Sequence, residues 1–227
     1  MQKDVNKKIK ASAMMFTLVV VALMPFVNLN EGNPVTIPSE KDSHWWDTDW
    51  QCRKLLTIDH TKVNANLMNF PVLISRSSDA ELAAAAQPTG QDIAFVLYSD
   101  NSTQLNHEIE FFSHSTGKLV AWINLPSLSS TVDTKIWMYY DNNVSGNEQN
   151  PQGTWNPDYL MVHHMEESGN INDSTSHGLN AVNYGTSSDA NGKIDGCRYF
   201  NDTIERYDFG ANTLLNPGMS SWTITLW

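Results

Sequence analysis

The sequence predicts an all-β protein whose main module is an antiparallel β-sandwich, preceded by one hydrophobic helix at the N-terminus. Residues 50–141 contain about seven short runs in which apolar and polar residues alternate, with turn residues roughly every 8 to 15 positions. Only one helix signal, the alanine-rich run at 80–87, interrupts these strands. Short strands at this spacing are typical of two packed antiparallel sheets.

The N-terminal segment is apolar and follows a basic flank. Residues 11–27 carry no charge, and four lysines lie within the first ten positions. This length falls between the core of a signal peptide and a membrane-spanning helix, and the basic flank places the N-terminus in the cytoplasm. We expect residues 1–30 to be a cleaved signal peptide or a retained membrane anchor, with the rest of the chain extracellular or on the cell surface. A buried core helix is a third interpretation.

The charge of the chain excludes one class of partner. The formal net charge is −11, and beyond the lysine-rich start 10 basic side chains stand against 24 acidic ones. Nucleic-acid binding depends on basic clusters that release counterions from phosphates. We therefore expect no nucleic-acid partner. Acidity of this kind serves solubility, and it also suits divalent cations or a salty exterior.

Three tryptophans lie within six residues, after a polar linker at 31–44. Trp45 and Trp46 are followed by Trp50 and by the first strand. Exposed indoles stack on sugar rings, so Trp45 and Trp46 are candidate glycan-binding residues. Alternatively, they pack against one end of the sandwich, as aromatic residues beside a strand start often do.

The central strands have clear inner faces, because side chains alternate across a strand with period 2. We expect Gly117 to provide a tight reversal between two of them, and Pro126 to close a strand. Pro71 indicates either an edge strand or a position early in a strand. The expected inward-facing residues are Ile93, Phe95, Leu97, Leu105, His107, Ile109, Phe111, Ile136, Met138 and Tyr140.

The chain divides into two predicted β modules. The first spans 45–150, and a segment rich in asparagine, glycine and proline at 142–158 is expected to link it to a second at 158–227. The second module contains strand-like runs from 159–165 to 221–227 but too few strands for a complete two-sheet sandwich. We therefore expect the chain to be the front of a longer protein.

The first module resembles the domain of unknown function DUF2341, which occurs in surface and exported proteins of archaea and bacteria. The resemblance rests on Trp50, on the strand that contains Arg53 and Ile58, and on three later motifs. Where the family has a Tyr-Gly-Asn turn, this chain has Asp141, which tolerates the left-handed region. The later motifs are Asp92-Ile93, Ala121-Trp122-Ile123-x-Leu125-Pro126 and Tyr139-Tyr140.

The second module resembles the start of a laminin-G-like or concanavalin-A-like lectin/glucanase jelly roll. The run from Val162 to Glu167 stands where such domains show a Val-Trp-His-Leu pattern. The other matching motifs are Asp173-Ser174-Thr175, Gly192-Lys193-Ile194, Tyr199-Phe200-Asn201 and Trp222-Thr223-Ile224. This resemblance implies a truncated jelly roll and carbohydrate binding.

One pair of acidic residues is a candidate for catalysis. Glu108 and Glu110 are two apart on a strand, so their carboxylates share a face at a distance that glycoside hydrolysis uses. The third acid of the concanavalin-like glucanase pattern is missing, because Ser113 follows instead. The alternative is a solvated strand face. His164 is expected to be packed or hydrogen-bonded in the sheet.

Two aspartates are candidate calcium ligands. Asp173 and Asp195 lie in turn-rich segments, and calcium takes several oxygens from such loops. Asp173 could equally bond its own backbone in a turn. Cys52 and Cys197 are the only cysteines, and we expect two separate thiols because they belong to different modules.

These observations favour an exported or surface-anchored, noncatalytic protein that binds glycans or other surface proteins through its β modules. The membrane is contacted through the N-terminal segment, and no cofactor is required, although calcium fits the aspartates. The alternative is an exported glycan-cleaving enzyme whose catalytic residues lie beyond Trp227.

Overall fold

The computed structural model describes residues 45–165, 169–201, 204–216, 218 and 221–226. The hydrophobic helix expected within residues 1–30 and the linker at 31–44 lie outside these residues. Within the part of the chain that the structure describes, no helix has the length and apolar character needed to cross a membrane.

Seven antiparallel strands form two facing sheets, which confirms the all-β prediction and the sandwich-like arrangement. One sheet has the order β1-β7-β3-β4, and the other has the order β2-β6-β5. The pairing is antiparallel throughout both sheets. The strands are β1 (Cys52–Ile58), β2 (Leu67–Arg76), β3 (Ala94–Leu97), β4 (Gln104–Leu105), β5 (His107–Ser113), β6 (Lys118–Leu128) and β7 (Thr134–Tyr140).

The main hydrophobic core lies between the two sheets. Both contribute fully buried side chains, such as Ile136 and Met138 from β7 and Ile123 from β6. The predicted inward faces of β3 and β7 are confirmed, and β2 is an edge strand, as Pro71 indicated. The alternation of apolar and polar residues therefore predicts correctly, for most strands, which side chains face the core.

Strand β6 continues through Pro126, so the prediction that this proline closes a strand is wrong. Pro126 cannot donate a ladder hydrogen bond, but it faces Asn69, which has a φ of 48°. The pairing register passes from Met68–Ser127 to Phe70–Leu125 and leaves these two residues out. An irregularity in the partner strand therefore accommodates the missing donor.

A β-bulge in β5 reverses the predicted orientation of its last residues. The register with β6 shifts between Ile109 and Phe111, which leaves Glu110 unpaired. Beyond the bulge Phe112 packs against the core, whereas the Lys118 ammonium lies 4.4 Å from the Phe111 ring centroid. Phe111 was expected to face inward, and the bulge moves it by one residue.

A short helix closes one side of the sandwich. Helix α1 (Ala80–Ala85) has Asp79 as its N-cap, and its Leu82 enters the core. The predicted reversal at Gly117 is confirmed, since its φ is +66° and its amide donates to the Ser113 carbonyl. The predicted left-handed conformation of Asp141 is also confirmed, with a φ of 68°.

The segment predicted as a link between modules follows the sandwich closely. Within it, helix α2 (Pro151–Thr154) has Asn150 as its N-cap. The Asn150 amide donates to the His107 carbonyl, and Gln149 Oε1 accepts from the Ile109 amide. Thr154 and Trp155 are buried. These contacts fasten the segment to β5.

The described residues after 158 form two small two-stranded sheets. Strand β8 (Val182–Tyr184) pairs with β11 (Arg206–Asp208), and β9 (Ser187–Asp189) pairs with β10 (Cys197–Tyr199). A 3₁₀ turn at Thr213–Leu215 follows, and a similar turn at His60–Lys62 follows β1. The strand-like runs at 159–165 and 221–226 have no regular structure. The jelly roll stays a prediction from sequence motifs.

Candidate functional site

Glu108 and Glu110 lie on the outer face of the three-stranded sheet. Ile109 between them packs against the core, so its two neighbours point to the opposite side of β5. Trp122 on β6 is the cross-strand partner of Glu108. The sequence prediction that the two carboxylates share a face is therefore confirmed.

His164 lies between the two carboxylates. Its Nδ1 is 3.0 Å from Glu110 Oε2, and its Nε2 is 3.1 Å from Glu108 Oε2. The Nε2 contact lacks the alignment of a hydrogen bond and is an ion pair. One imidazole thus bridges two glutamates that come from a strand more than fifty residues earlier in the chain.

Three further donors complete the coordination of the carboxylates. Trp155 Nε1 donates to Glu108 Oε2 at 2.8 Å, and Ser174 Oγ donates to Glu108 Oε1 at 2.5 Å. Trp122 Nε1 donates to Glu110 Oε2 at 2.7 Å. The Trp122 and Trp155 rings pack with centroids 5.2 Å apart. We call Glu108, Glu110, His164, Trp122 and Trp155 the Glu-His clasp.

The electrostatics of the clasp favour a protonated imidazole. Burial by itself would lower the pKa of His164, but its contacts with Glu108 and Glu110 outweigh burial and raise that pKa to about 10. Burial likewise opposes ionisation of Glu108, whereas His164, Ser174 and Trp155 bring its net pKa below the ordinary value. At neutral pH the site therefore holds an imidazolium between carboxylates.

The clasp joins the sheet to the segment that follows it. The side chains of Glu108, Glu110 and His164 are only 11%, 4% and 12% exposed, so the prediction of a solvated strand face is wrong. Each carboxyl group contacts the imidazolium and one indole through its Oε2 atom. Chemically, the arrangement places one positive charge between two acidic side chains and fixes the positions of Trp155 and His164 on the outer sheet face.

Trp45 and Trp46 belong to a second aromatic cluster, on the outer face of the four-stranded sheet. Both are half-buried and pack against Tyr139. The Arg53 guanidinium lies 4.4 Å from the Trp45 ring centroid and 4.1 Å from that of Trp137. The Trp45 indole donates to the Trp50 carbonyl. These indoles cover the outer face of a sheet. The packing alternative from the sequence had placed them at one end of the sandwich instead.

The structure places the two calcium candidates in separate sets of contacts. Asp173 accepts hydrogen bonds from the amides of Val162, Thr175 and Leu179, which are the contacts of a turn-forming aspartate. Asp195 Oδ1 lies 2.5 Å from Lys118 Nζ. Calcium binding by this pair stays a prediction.

A set that sequence reasoning did not predict lies where β1 ends and β7 begins. Asp59, His60 and Asp133 place ligand-type atoms within 4.8 Å of one another. His60 Nδ1 is 2.6 Å from Asp133 Oδ1, and Asp59 Oδ1 accepts from Thr61. Nothing in the sequence indicates that the end of β1 lies beside the start of β7. These three residues could therefore not be grouped without the structure.

Comparison with known proteins supports part of the recognition made from the sequence. The domain of unknown function DUF2341 matches residues 89–203, which is just over half of the chain. This range includes the Asp92, Ala121–Pro126 and Tyr139 motifs and the whole Glu-His clasp. No laminin-G-like or concanavalin-A-like domain is found after it. None of the curated proteins and none of the solved structures compared with the chain matches it. The chain belongs to the DUF2341 family.

Proposed function

We propose that this protein is an exported or surface-anchored, noncatalytic protein that binds glycans or other surface partners through its β-sandwich. The main support for the proposal is the set of contacts made by Glu108 and Glu110, the two best candidates for catalysis. Both carboxylate oxygens of Glu108 are in contact with His164, Ser174 or Trp155. Oε2 of Glu110 is in contact with His164 and with the Trp122 indole. A glycosidase requires one carboxyl group to protonate the substrate and another to attack it or to activate water.

The position of the clasp gives it a structural role. Breaking a buried ion pair leaves an uncompensated charge, so a substrate could recruit either carboxylate only at high cost. The clasp instead supports a rigid outer surface, on which binding groups keep fixed positions. A scaffold of this kind suits recognition better than hydrolysis.

Two sequence features support the proposed location of the protein outside the cell or on its surface. The apolar run at 11–27 after four lysines directs the chain to the membrane, and the acidic remainder suits an exterior surface. The finer hypothesis of a lectin-like jelly roll in 158–227 rests on short motifs, and the proposal does not depend on it.

Two assays with the full chain test this function together. A glycan array and crosslinking on intact cells should reveal a glycan or a surface protein that the chain binds. Incubation with the same glycans should release no new reducing ends. Release of reducing ends that disappears in Glu108→Gln would establish the enzyme instead. Absence of both a glycan ligand and a crosslinked partner would refute the binding function.

A further inference from the structure

A cleft of about 300 Å³ lies beside the Glu-His clasp, where α2 meets one end of the three-stranded sheet. Amide side chains dominate its lining, and Trp155 forms part of its wall. None of the lining residues carries a charge, although the chain has a net charge of −11. The polar lining residues are Asn69, Asn106, Asn124, Gln152, Asn156 and Ser176.

The walls of the cleft are fixed by hydrogen bonds between distant parts of the chain. Asn156 Nδ2 donates to the Asn69 carbonyl at 3.0 Å, which ties the loop after α2 to β2. Asn124 Nδ2 donates to the Thr154 carbonyl at 2.9 Å and holds α2 against β6. Trp155 is held in place by the hydrogen bond from its indole nitrogen to Glu108. The cleft is therefore preformed.

Several amide groups in this cleft have no hydrogen-bond partner in the described part of the chain. The side chains of Asn69 and Gln152, the Nδ2 group of Asn106 and the Oδ1 atom of Asn124 form no hydrogen bonds there. Asn69, Asn106 and Gln152 are exposed and Asn124 is half-buried, so these amide groups are accessible to a ligand.

The chemistry of these groups identifies a class of ligand. A side-chain amide has a hydrogen-bond donor and a hydrogen-bond acceptor next to each other. A sugar hydroxyl can also donate and accept, so the two groups are complementary. A charged ligand would find no counter-ion in the lining, and Trp155 is only 5% exposed, so little of its indole is available for stacking. The volume lies at the lower end of the range for small-molecule sites.

We propose that the amide-lined cleft binds a neutral sugar unit of a polysaccharide through hydrogen bonds to its hydroxyl groups. This inference rests on the proposed function, because it names the glycan class and the surface that holds it. Since no ionisable group lines the cleft, binding should be insensitive to salt, in contrast to binding of an acidic glycan by a basic surface.

The test compares a cleft variant with a matched control in the full chain. The double substitution Asn69→Gly with Gln152→Ala removes two amides that form no internal hydrogen bond, and glycine accepts the positive φ of position 69. The control, Asn64→Gly with Asn143→Ala, likewise removes two exposed amides that form no hydrogen bond within the described part of the chain, at positions outside the cleft. Titration calorimetry measures binding to four neutral polysaccharides, dextran, β-glucan, xylan and mannan, and to polygalacturonate as the acidic probe.

We expect the wild type and the control to bind a neutral polysaccharide with equal affinity, and the cleft variant to bind it at least about tenfold more weakly, the loss of roughly two hydrogen bonds. Affinity should change less than about twofold between about 0.05 and 0.5 M salt. Equal binding by wild type and cleft variant would overturn the cleft but keep the proposed glycan binding. Binding to polygalacturonate alone would overturn the neutral ligand, and binding to none of the five would overturn both the cleft and the glycan part of the proposed function.

Discussion

The indole nitrogen of Trp155 donates a 2.8 Å hydrogen bond to Oε2 of Glu108, across 47 positions of sequence. This bond fastens the end of α2 to the outer face of β5, and it connects the Glu-His clasp to the amide-lined cleft. Glu108 is therefore best described as a positioning residue. The stability of the clasp and the geometry of the cleft should respond together to changes at this glutamate.

Removal of the clasp histidine should be strongly destabilising. His164→Ala leaves two adjacent buried carboxylates without the imidazolium between them, and we expect the free energy of unfolding to fall by about 3–5 kcal/mol. Urea denaturation at pH 7 measures this. The control is His114→Ala at an exposed turn position, which should change stability by less than about 0.5 kcal/mol. Equal losses in the two variants would contradict the role of the clasp.

The clasp should also make stability depend on pH. The pKa of His164 is raised from 6.5 to about 10 in the folded protein, so its contribution is complete below pH 6.5 and is lost as the pH rises through 10. The pKa of Glu108 is lowered from 4.5, so its contribution is present above pH 4.5 and is lost at lower pH. The stability difference between wild type and His164→Gln should peak between these limits. A difference that is unchanged between pH 6 and pH 10 would refute the assignment.

Asp79 should be essential at the start of α1. Its side chain is 2% exposed and contacts Lys54 Nζ at 2.5 Å and Arg76 Nη2 at 2.9 Å, while also accepting the Leu82 amide. Asp79→Asn removes the charge that both cations share, and we expect a loss of about 3 kcal/mol or more. Thermal unfolding measures it against Asp49→Asn, an exposed aspartate, which should have little effect. A similar melting temperature for both variants would contradict this prediction.

Gly117 should not tolerate a side chain. A Cβ atom there would clash with the Asp79 carbonyl oxygen, and the φ of +66° adds strain. We expect Gly117→Ala to cost about 1–3 kcal/mol or more, because the backbone of α1 must move. Gly146→Ala is the matched control, since nothing lies within 4 Å of its Cβ position. The prediction fails if both substitutions leave the melting temperature unchanged.

Cys52 should react slowly with alkylating reagents. Burial, together with the nearby Asp141 carboxylate, raises the pKa of its thiol to about 11. At pH 8 the thiolate fraction is then roughly a hundredfold below that of an ordinary cysteine. Mass spectrometry of iodoacetamide labelling in a Cys197→Ser variant measures the rate, with glutathione as the reference. A rate equal to that of glutathione would show that the thiol is not shielded.

The sequence alone determined the all-β class, the strands between residues 50 and 141, and membership of a family through motifs such as Asp92-Ile93. Alternation determines which side chains face a core, so Ile136 and Met138 were assigned correctly without a structure. The same rule failed at Phe111, because the bulge at Glu110 inserts one residue and reverses the faces beyond it. A bulge has no reliable signal in a single sequence.

Only the tertiary structure decided what the candidate residues contact. Glu108 and His164 are 56 positions apart, and nothing in the local pattern of either predicts that they meet as an ion pair. The amide-lined cleft likewise assembles Asn69 from β2, Asn124 from β6 and Gln152 from α2. Local sequence determines strands and turns because these depend on neighbouring residues, whereas a site depends on which distant segments pack together.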